Sequence, residues 1–347
     1  MPIRKSDYEN YDYREFWEDD KRYYEDQSER IALRSILKGV DPSNKLLIDI
    51  GCGYARLFNE YSKFQRLVLI DYSIKNLKNA RERISQFLSN DPEKLSNVLF
   101  ISADATAIPI GDDSADTVLT VRVVHHLDRP EKYFDEVKRI LKEGGIYLFE
   151  FANKRNLKNI LRFIIGKMDT SPFSPVPSQI GETIRNYHPK EIYKKLKQRD
   201  IRIERIISVS NFRLGILKKI FGNRLILFFE NIYQKVFSFI TWGPSIFIKG
   251  YLLKNTSSSG NQPSSDGGKR SFQDTDRQAS PDIGNTDSKE REQFFKDLLE
   301  QNLASFSDIL ICPSCHSKNL TLSGDKMRCG ECKHQFLVDG NILDLKV

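Results

Sequence analysis

The chain has 347 residues, 39% of them hydrophobic and two of them tryptophan, ordinary values for a folded soluble protein and enough for one large domain with something added. Its formal net charge of +7 is mild and spread out, which argues only weakly for nucleic acid. No run approaches the ~18 apolar residues of a membrane span, and the charged, aromatic N-terminus lacks a signal peptide's apolar stretch, so a cytoplasmic protein is expected.

Residues 1–27 are polar but carry Tyr8, Tyr11, Tyr13, Phe16, Trp17, Tyr23 and Tyr24, the composition of a lid. Ser28 reads as the N-cap of a helix through Ile31, Leu33, Ile36 and Leu37 that ends at Gly39, so that 1–45 form a lid and a helix. Strands at 46–50, 66–71, 98–102, 116–122 and 145–152 then alternate with helical patterns, which predicts a doubly wound parallel α/β sheet. One helix is well marked over 130–142, with Pro130 at its start and Gly144-Gly145 beyond its end; Pro189 opens another. Strands near 202–209 and 245–253 complete seven. Residues 255–286 hold almost no apolar side chains and read as a flexible linker. Beyond it, Asp287 and Glu290 form a capping pair for a helix carrying Phe294, Phe295, Leu298, Leu299 and Leu303. No internal repeat is visible.

The most informative stretch is Leu46-Leu47-Ile48-Asp49-Ile50-Gly51-Cys52-Gly53, an apolar strand that stops at two glycines before a helical pattern. Such a turn lets a nucleoside-like ligand lie on bare backbone at the carboxyl edge of a parallel sheet. The next strand ends at Asp71, eighteen residues past Gly53, where a carboxylate can accept both ribose hydroxyls. A dinucleotide would need a glycine where Arg56 stands, and Asp49 would repel a pyrophosphate. S-adenosylmethionine carries a ribose and a sulfonium and no phosphate, and so suits this loop.

From Leu46 to Lys154 the chain resembles class I S-adenosylmethionine-dependent methyltransferases of the type 11 kind. The resemblance rests on Ile-Asp-Ile-Gly-Cys-Gly, Leu-Ile-Asp71-Tyr72-Ser73, Ser102-Ala103-Asp104-Ala105, Val123-Val124-His125-His126-Leu127 and Leu141-Lys142-Glu143-Gly144-Gly145, in that family's order and spacing. Ala55 replaces the usual third glycine of the loop. The resemblance implies a Rossmann-like seven-stranded sheet with its last strand antiparallel, and a methyltransferase domain over 46–254. Within it, Gly51 and Gly53 admit the methionine and ribose parts, and Asp49 orients the ammonium group. Asp71 binds the ribose, Asp104 followed by small Ala105 receives the adenine amino group, and Tyr72 stacks on adenine or covers the sheet edge. Cys52 packs against the cofactor, and Arg122 lines the pocket. His125 and His126 sit beyond the fourth strand as general base or acceptor-orienting group, or as a structural dipeptide. The Asn/Asp-Pro-Pro-Tyr/Phe signature for planar amino groups is absent, since Val121-Arg122-Val123-Val124 stands there, which argues against adenine or glutamine side-chain nitrogen as acceptor.

The tail holds a second pattern. Cys312-Pro-Ser-Cys315 and Cys329-Gly-Glu-Cys332 are separated by thirteen residues, the arrangement of two knuckles that put four thiolates around Zn²⁺. A pair of disulfides is the alternative, and the one-plus-four cysteine distribution favours the metal. A segment of about 40 residues is too small to stand on a core alone, and metal ligation worth ~10–16 kcal/mol supplies what is missing. Four sulfurs close the site, so this zinc is structural, and His316 and His334 are bystanders. The helix and zinc ribbon span 287–347. From Leu310 the tail resembles the short zinc-ribbon proteins that bind and activate methyltransferases acting on tRNA and translation factors. That implies either a tethered activator or stabiliser in contact with the methyltransferase domain, or a module for some other partner.

Residues 155–250 are expected to set the acceptor. Leu214 to Trp242 is rich in Leu, Ile and Phe broken by Lys218, Lys219, Arg224, Glu230 and Lys235: a cap over a lipophilic pocket, a helix resting on a membrane surface, or ordinary core. Ser171-Pro-Phe-Ser-Pro-Val-Pro reads as a lid or a surface linker. Three functions follow: transfer to a small or lipid-like acceptor, transfer to tRNA or a translation factor, or a non-catalytic scaffold with a partner-binding ribbon.

Overall fold

The computed structural model describes residues 12–18, 22–127, 130–181, 184–253 and 288–347. The expected linker at 255–286, and Tyr8, Tyr11 and Asp287, lie outside the described residues.

Helices α1 (Glu15–Glu18) and α2 (Tyr23–Leu37) precede β1 (Leu46–Ile50), α3 (Phe58–Tyr61), β2 (Arg66–Asp71), α4 (Ile74–Phe87), β3 (Val98–Ser102) and β4 (Ala115–Thr120). Then come α5 (Pro130–Ile140), β5 (Leu141–Ala152), α6 (Leu157–Ile164), a hairpin of β6 (Ser178–Ile180) and β7 (Ile184–Asn186), α7 (Pro189–Lys197) and β8 (Ile201–Val209). Helix α8 (Gly215–Val236), two helical segments kinked at Gly222 (φ +67°), and β9 (Ser245–Leu252) follow, and α9 (Ser288–Phe306) leads to β10 (Leu320–Ser323), β11 (Lys326–Cys329), β12 (Gln335–Asp339) and β13 (Ile342–Asp344).

Strands β1 and β3 are buried along their whole length, as strands covered on both faces must be, which explains why they are apolar except for Asp49 and Ser102. Seven strands run in the order β3-β2-β1-β4-β5-β9-β8, with β9 antiparallel to both neighbours, as expected. The helices that cover the sheet use local signals. Ser73 caps α4 by accepting from the Asn76 amide, and His188 caps α7 ahead of Pro189. Helix α5 buries Tyr133, Phe134, Val137 and Ile140 at helical spacing.

Three expectations need correction. Helix α2 starts at Tyr23, so Ser28 is no N-cap; it lies in the helix interior, where its hydroxyl donates to the Tyr24 carbonyl (2.7 Å). Glu25 and Asp26 suit the positive end of the earlier turn, and fully buried Tyr24 fixes it. The fourth strand ends at Thr120, because Arg122 takes a φ of +63° that an extended strand cannot hold. Helix α5 ends at Ile140, where β5 begins directly.

The ribbon is part of the sheet. Strand β13 lies parallel to β3, pairing Ile342 with Phe100, Leu343 with Ile101 and Asp344 with Ser102. The sheet thereby continues to eleven strands, β10-β11-β12-β13 preceding β3. Helix α9 packs beneath this junction: Asn302 donates to the Leu95 and Ser96 carbonyls (3.0 and 2.8 Å), and Arg66 pairs with Asp308 (2.6 Å). Phe295, Leu298, Leu299, Phe306, Ile342, Leu343 and Leu345 are all buried, each contributing about 1.5–3 kcal/mol of apolar transfer.

Candidate active site and four-cysteine centre

The glycine loop closes on β2: the Gly51 and Cys52 amides both donate to the Ile70 carbonyl (2.7 and 3.0 Å). Gly51 and Gly53 have φ of +75° and +56°, the left-handed region that glycine enters at no steric cost. A Cβ on Gly51 would overlap the Val123 side chain, so only bare backbone lets the loop pack this closely against the segment that follows β4. Ala55, where the usual third glycine stands, is also left-handed at +56°, at a cost of about 1–2 kcal/mol. Cys52 is buried, and burial pushes its thiol up, which leaves it an unreactive packing group.

Three carboxylates gather at this carboxyl edge. Asp71 accepts from the Gly53 amide (2.8 Å), the Ser73 amide (2.9 Å) and the Asn76 side chain (3.2 Å), which fixes its orientation beside the loop. Asp49 is buried at the tip of β1 and accepts from the Tyr61 hydroxyl at 2.5 Å. Burial lifts its carboxyl to about 7; the Tyr61 bond opposes the rise and neighbouring Asp71 adds to it. A buried carboxylate of this kind gains most from a nearby cation. Asp104 follows β3 and takes the Thr106 amide and hydroxyl (2.9 and 2.7 Å), with Ala105 partly buried beside it. Tyr72 is half exposed, and the Lys346 ammonium from the end of the chain lies 5.1 Å from its ring.

Arg122 is held by two buried carboxylates. Its guanidinium pairs with buried Glu29 of α2, which also holds Arg56, and both cations lie against the Trp17 ring (4.8 and 3.8 Å). The Arg122 amide donates to buried Glu150 (2.8 Å), whose other oxygen accepts from the Ser245 hydroxyl. Arg122 therefore secures the wall of the site and the N-terminal cover. Arg56, the residue that departs from a dinucleotide loop, also pairs with Asp26 (2.8 Å). His125 is buried in a 3-10 turn at Val124–His126; burial lowers its pKa well below the usual range, and its Nδ1 has no partner among the described residues. The His126 ring lies 4.2 Å away.

Sequence reasoning missed several contributors. Tyr61 holds Asp49, Asn76 holds Asp71, and Glu29 ties Arg122 to Arg56. Tyr13 sets its ring 3.2 Å from where a Cβ on Gly53 would be, and so roofs the loop. Asn76 alone left a signal, at the helix start after Asp-Tyr-Ser.

At the far end of the ribbon, Cys312, Cys315, Cys329 and Cys332 place all four sulfurs within 4.8 Å of one another. Cys312 and Cys332 are 3.7 Å apart and Cys315 and Cys329 3.5 Å, too long for disulfides. Tetrahedral Zn–S bonds of ~2.3 Å require sulfurs ~3.8 Å apart, so this donor set fits a zinc ion.

Comparison with known proteins follows the geometry. A family model described as a methyltransferase domain matches residues 48–149. Sterol 24-C-methyltransferase of Gibberella zeae is 31% identical over 110 residues, covering 31% of this chain and 28% of that protein. Ubiquinone/menaquinone biosynthesis C-methyltransferase of Ectopseudomonas mendocina is 30% identical over 156 residues, covering 43% of this chain and 56% of its own. The chain thus spans between a quarter and somewhat over half of these relatives' lengths. Among solved structures, the complex of the Haloferax volcanii Trm112 methyltransferase activator with a provisional methyltransferase aligns at a TM-score of 0.48 and 16% identity, covering 70% of this chain and 97% of that one.

Proposed function

We propose that the methyltransferase domain carried at residues 48–149 binds S-adenosylmethionine and transfers its methyl group to a small or lipid-like acceptor. The observation that carries this reading is the tight left-handed turn at Gly51 and Gly53 with buried Asp49 and oriented Asp71 beside it. When bound, S-adenosylmethionine supplies an electrophilic sulfonium methyl group for in-line displacement. Asp49 offers the cation a counter-charge, and Asp71 the ribose an acceptor. Asp104, Ala105 and Tyr72 border the adenine end. Tyr13 roofs the loop and excludes water, while proximity and alignment supply most of the acceleration. Burial keeps His125 neutral and weakens it as a base, so it is proposed to orient the acceptor at the fourth strand's end, with partly buried His126 beside it.

Two points support an apolar acceptor: relatives named for sterols and for quinones, and the exposed apolar side chains of α6 and α8. The four-cysteine centre is proposed to hold structural zinc. The ribbon's role is proposed to be stabilisation in cis, because β13 covers an edge of β3 that would otherwise be open.

Calorimetric titration of the zinc-loaded chain with S-adenosylmethionine tests the reading. Micromolar binding that Asp71→Ala weakens at least ~10-fold is expected. A folded, zinc-loaded chain that takes up neither S-adenosylmethionine nor S-adenosylhomocysteine would refute it.

A further inference from the structure

Helix α8 is built inside out. Its buried stripe is Ile226, Glu230 and Gln234, one residue per turn against α2. Glu230 accepts from the Tyr24 hydroxyl (2.7 Å) and the Ser210 and Asn211 amides (2.8 and 3.0 Å), and Gln234 donates to the Ser28 carbonyl (3.0 Å). Leu225, Phe228, Phe229, Ile232 and Val236 face outward instead. An ordinary surface helix has the reverse arrangement. Helix α6 buries no residue at all, and its Leu161 and Ile164 are exposed, the latter at 70%.

The segment after α8 reaches the start of α6. Residues 237–242 follow α8 and expose Phe239 (74%) and Trp242 (50%), and the Trp242 carbonyl accepts the Leu157 amide at the start of α6 (2.9 Å). Beyond α6 the Phe163 and Phe173 rings meet edge to face at 6.5 Å. So many exposed large apolar side chains on two helices joined in this way point to an interaction surface.

Charge identifies the occupant. Lys158, Arg162 and Lys167 are exposed around α6, as are Lys219, Arg224 and Lys235 on α8. Across 155–176 and 213–242 the acids are Asp169 and Glu230, and Glu230 is buried in its hydrogen bonds. We propose that this face docks on an anionic bilayer, aromatic and aliphatic side chains entering the headgroup boundary while the cations meet lipid phosphates. Long cationic side chains flanking Phe and Trp suit that interface. A second copy would set like charges against like. No helix among the described residues is long and apolar enough to cross a membrane, so the chain would lie on the surface.

Helix α6 starts at the same edge of the sheet as the candidate site. Helix α6 follows β5 at the carboxyl edge of the sheet, and β7 packs on the Val124–His126 turn. An apolar acceptor could then enter from the bilayer without crossing water. That last step rests on the proposed methyl transfer; the docking does not, and is measured without cofactor.

Co-sedimentation of the full zinc-loaded chain with phosphatidylcholine vesicles, and with mixed phosphatidylcholine–phosphatidylglycerol vesicles, decides the matter. Binding to the mixed vesicles that weakens with salt is expected. Lys219→Glu/Arg224→Glu/Lys235→Glu should lower the partition by roughly 100-fold. Phe228→Ser/Phe239→Ser, and separately Leu161→Ser/Ile164→Ser on the other helix, should each lower it at least ~10-fold with circular dichroism unchanged. The proposal fails if the chain binds neither vesicle, or if only the charge reversals matter. It fails equally if tRNA and not vesicles is bound through these cations, or if Phe228→Ser dissolves a dimer and vesicles are ignored.

Discussion

Replacing Asp49 by asparagine should stabilise the unliganded protein while weakening its cofactor binding, both by amounts that depend on pH. Burial is the main cause that lifts this carboxyl from 3.8 to about 7, with Asp71 adding to the rise and the Tyr61 hydroxyl opposing it. The unfolded chain ionises near ~3.9. Between there and about 7 the folded protein therefore holds a proton that the unfolded chain has lost, so stability falls as pH rises through that window. At ~1.4 kcal/mol per pKa unit, the charge costs about 4 kcal/mol at pH 8 and about 1.5 kcal/mol at pH 5. Asp49→Asn removes that cost and keeps an oxygen for Tyr61. Urea unfolding of both proteins without ligand should show the variant's advantage widening by about 2–3 kcal/mol from pH 5 to pH 8. An advantage that is equal at both pH values, or reversed at the higher one, would refute the reasoning. The same substitution should weaken S-adenosylmethionine binding ~10–100-fold, and wild-type affinity should rise with pH as the proton leaves Asp49.

Gly51→Ala would meet Val123 and force a left-handed φ on alanine, so calorimetry should find cofactor binding lost and the midpoint of unfolding lowered. Glu29→Gln leaves Arg56 and Arg122 without their shared buried anion, and thermal unfolding should register a loss of about 3–5 kcal/mol. Lys346→Ala removes the cation over Tyr72, and cofactor affinity should fall by about 2–5-fold with stability unchanged. Stripping metal with a chelator, or Cys312→Ser, should release the ribbon from β3; light scattering would show association through the bared edge, and a chain indifferent to chelation would contradict the role assigned to the centre.

How far the sequence disclosed this protein depends on how local each feature is. The loop after β1 was legible because the strand, two left-handed glycines and the following acid act within a few residues of one another. Four cysteines at ligand spacing were legible for the same reason. Ser28 misled because a good capping residue carries the same signal inside a helix, where its hydroxyl bonds back to Tyr24. The partner of Arg122 was not legible, because a position beside the fourth strand says nothing about Glu29, which lies in α2, 93 residues earlier. The junction of β13 with β3 is least legible of all. A three-residue strand has no period to read, and parallel pairing leaves no turn between the partners. The exposed apolar face of α8 was visible as composition, but its inverted burial became clear only once Glu230 was seen to point inward.

The pairing of Ile342 with Phe100 also sets a timetable for synthesis. A ribosome adding ~5–20 residues per second needs about 10–50 s to make the chain between those two residues. Throughout that interval β2 and β1 can assemble with β3, but β3 has no neighbour on its outer side. The sheet is thus closed on this side only once β13 has been made, and a product truncated before Ile342 would keep the sticky edge for good. Stops between α9 and β13 should therefore be felt as insolubility before they are felt as lost cofactor binding.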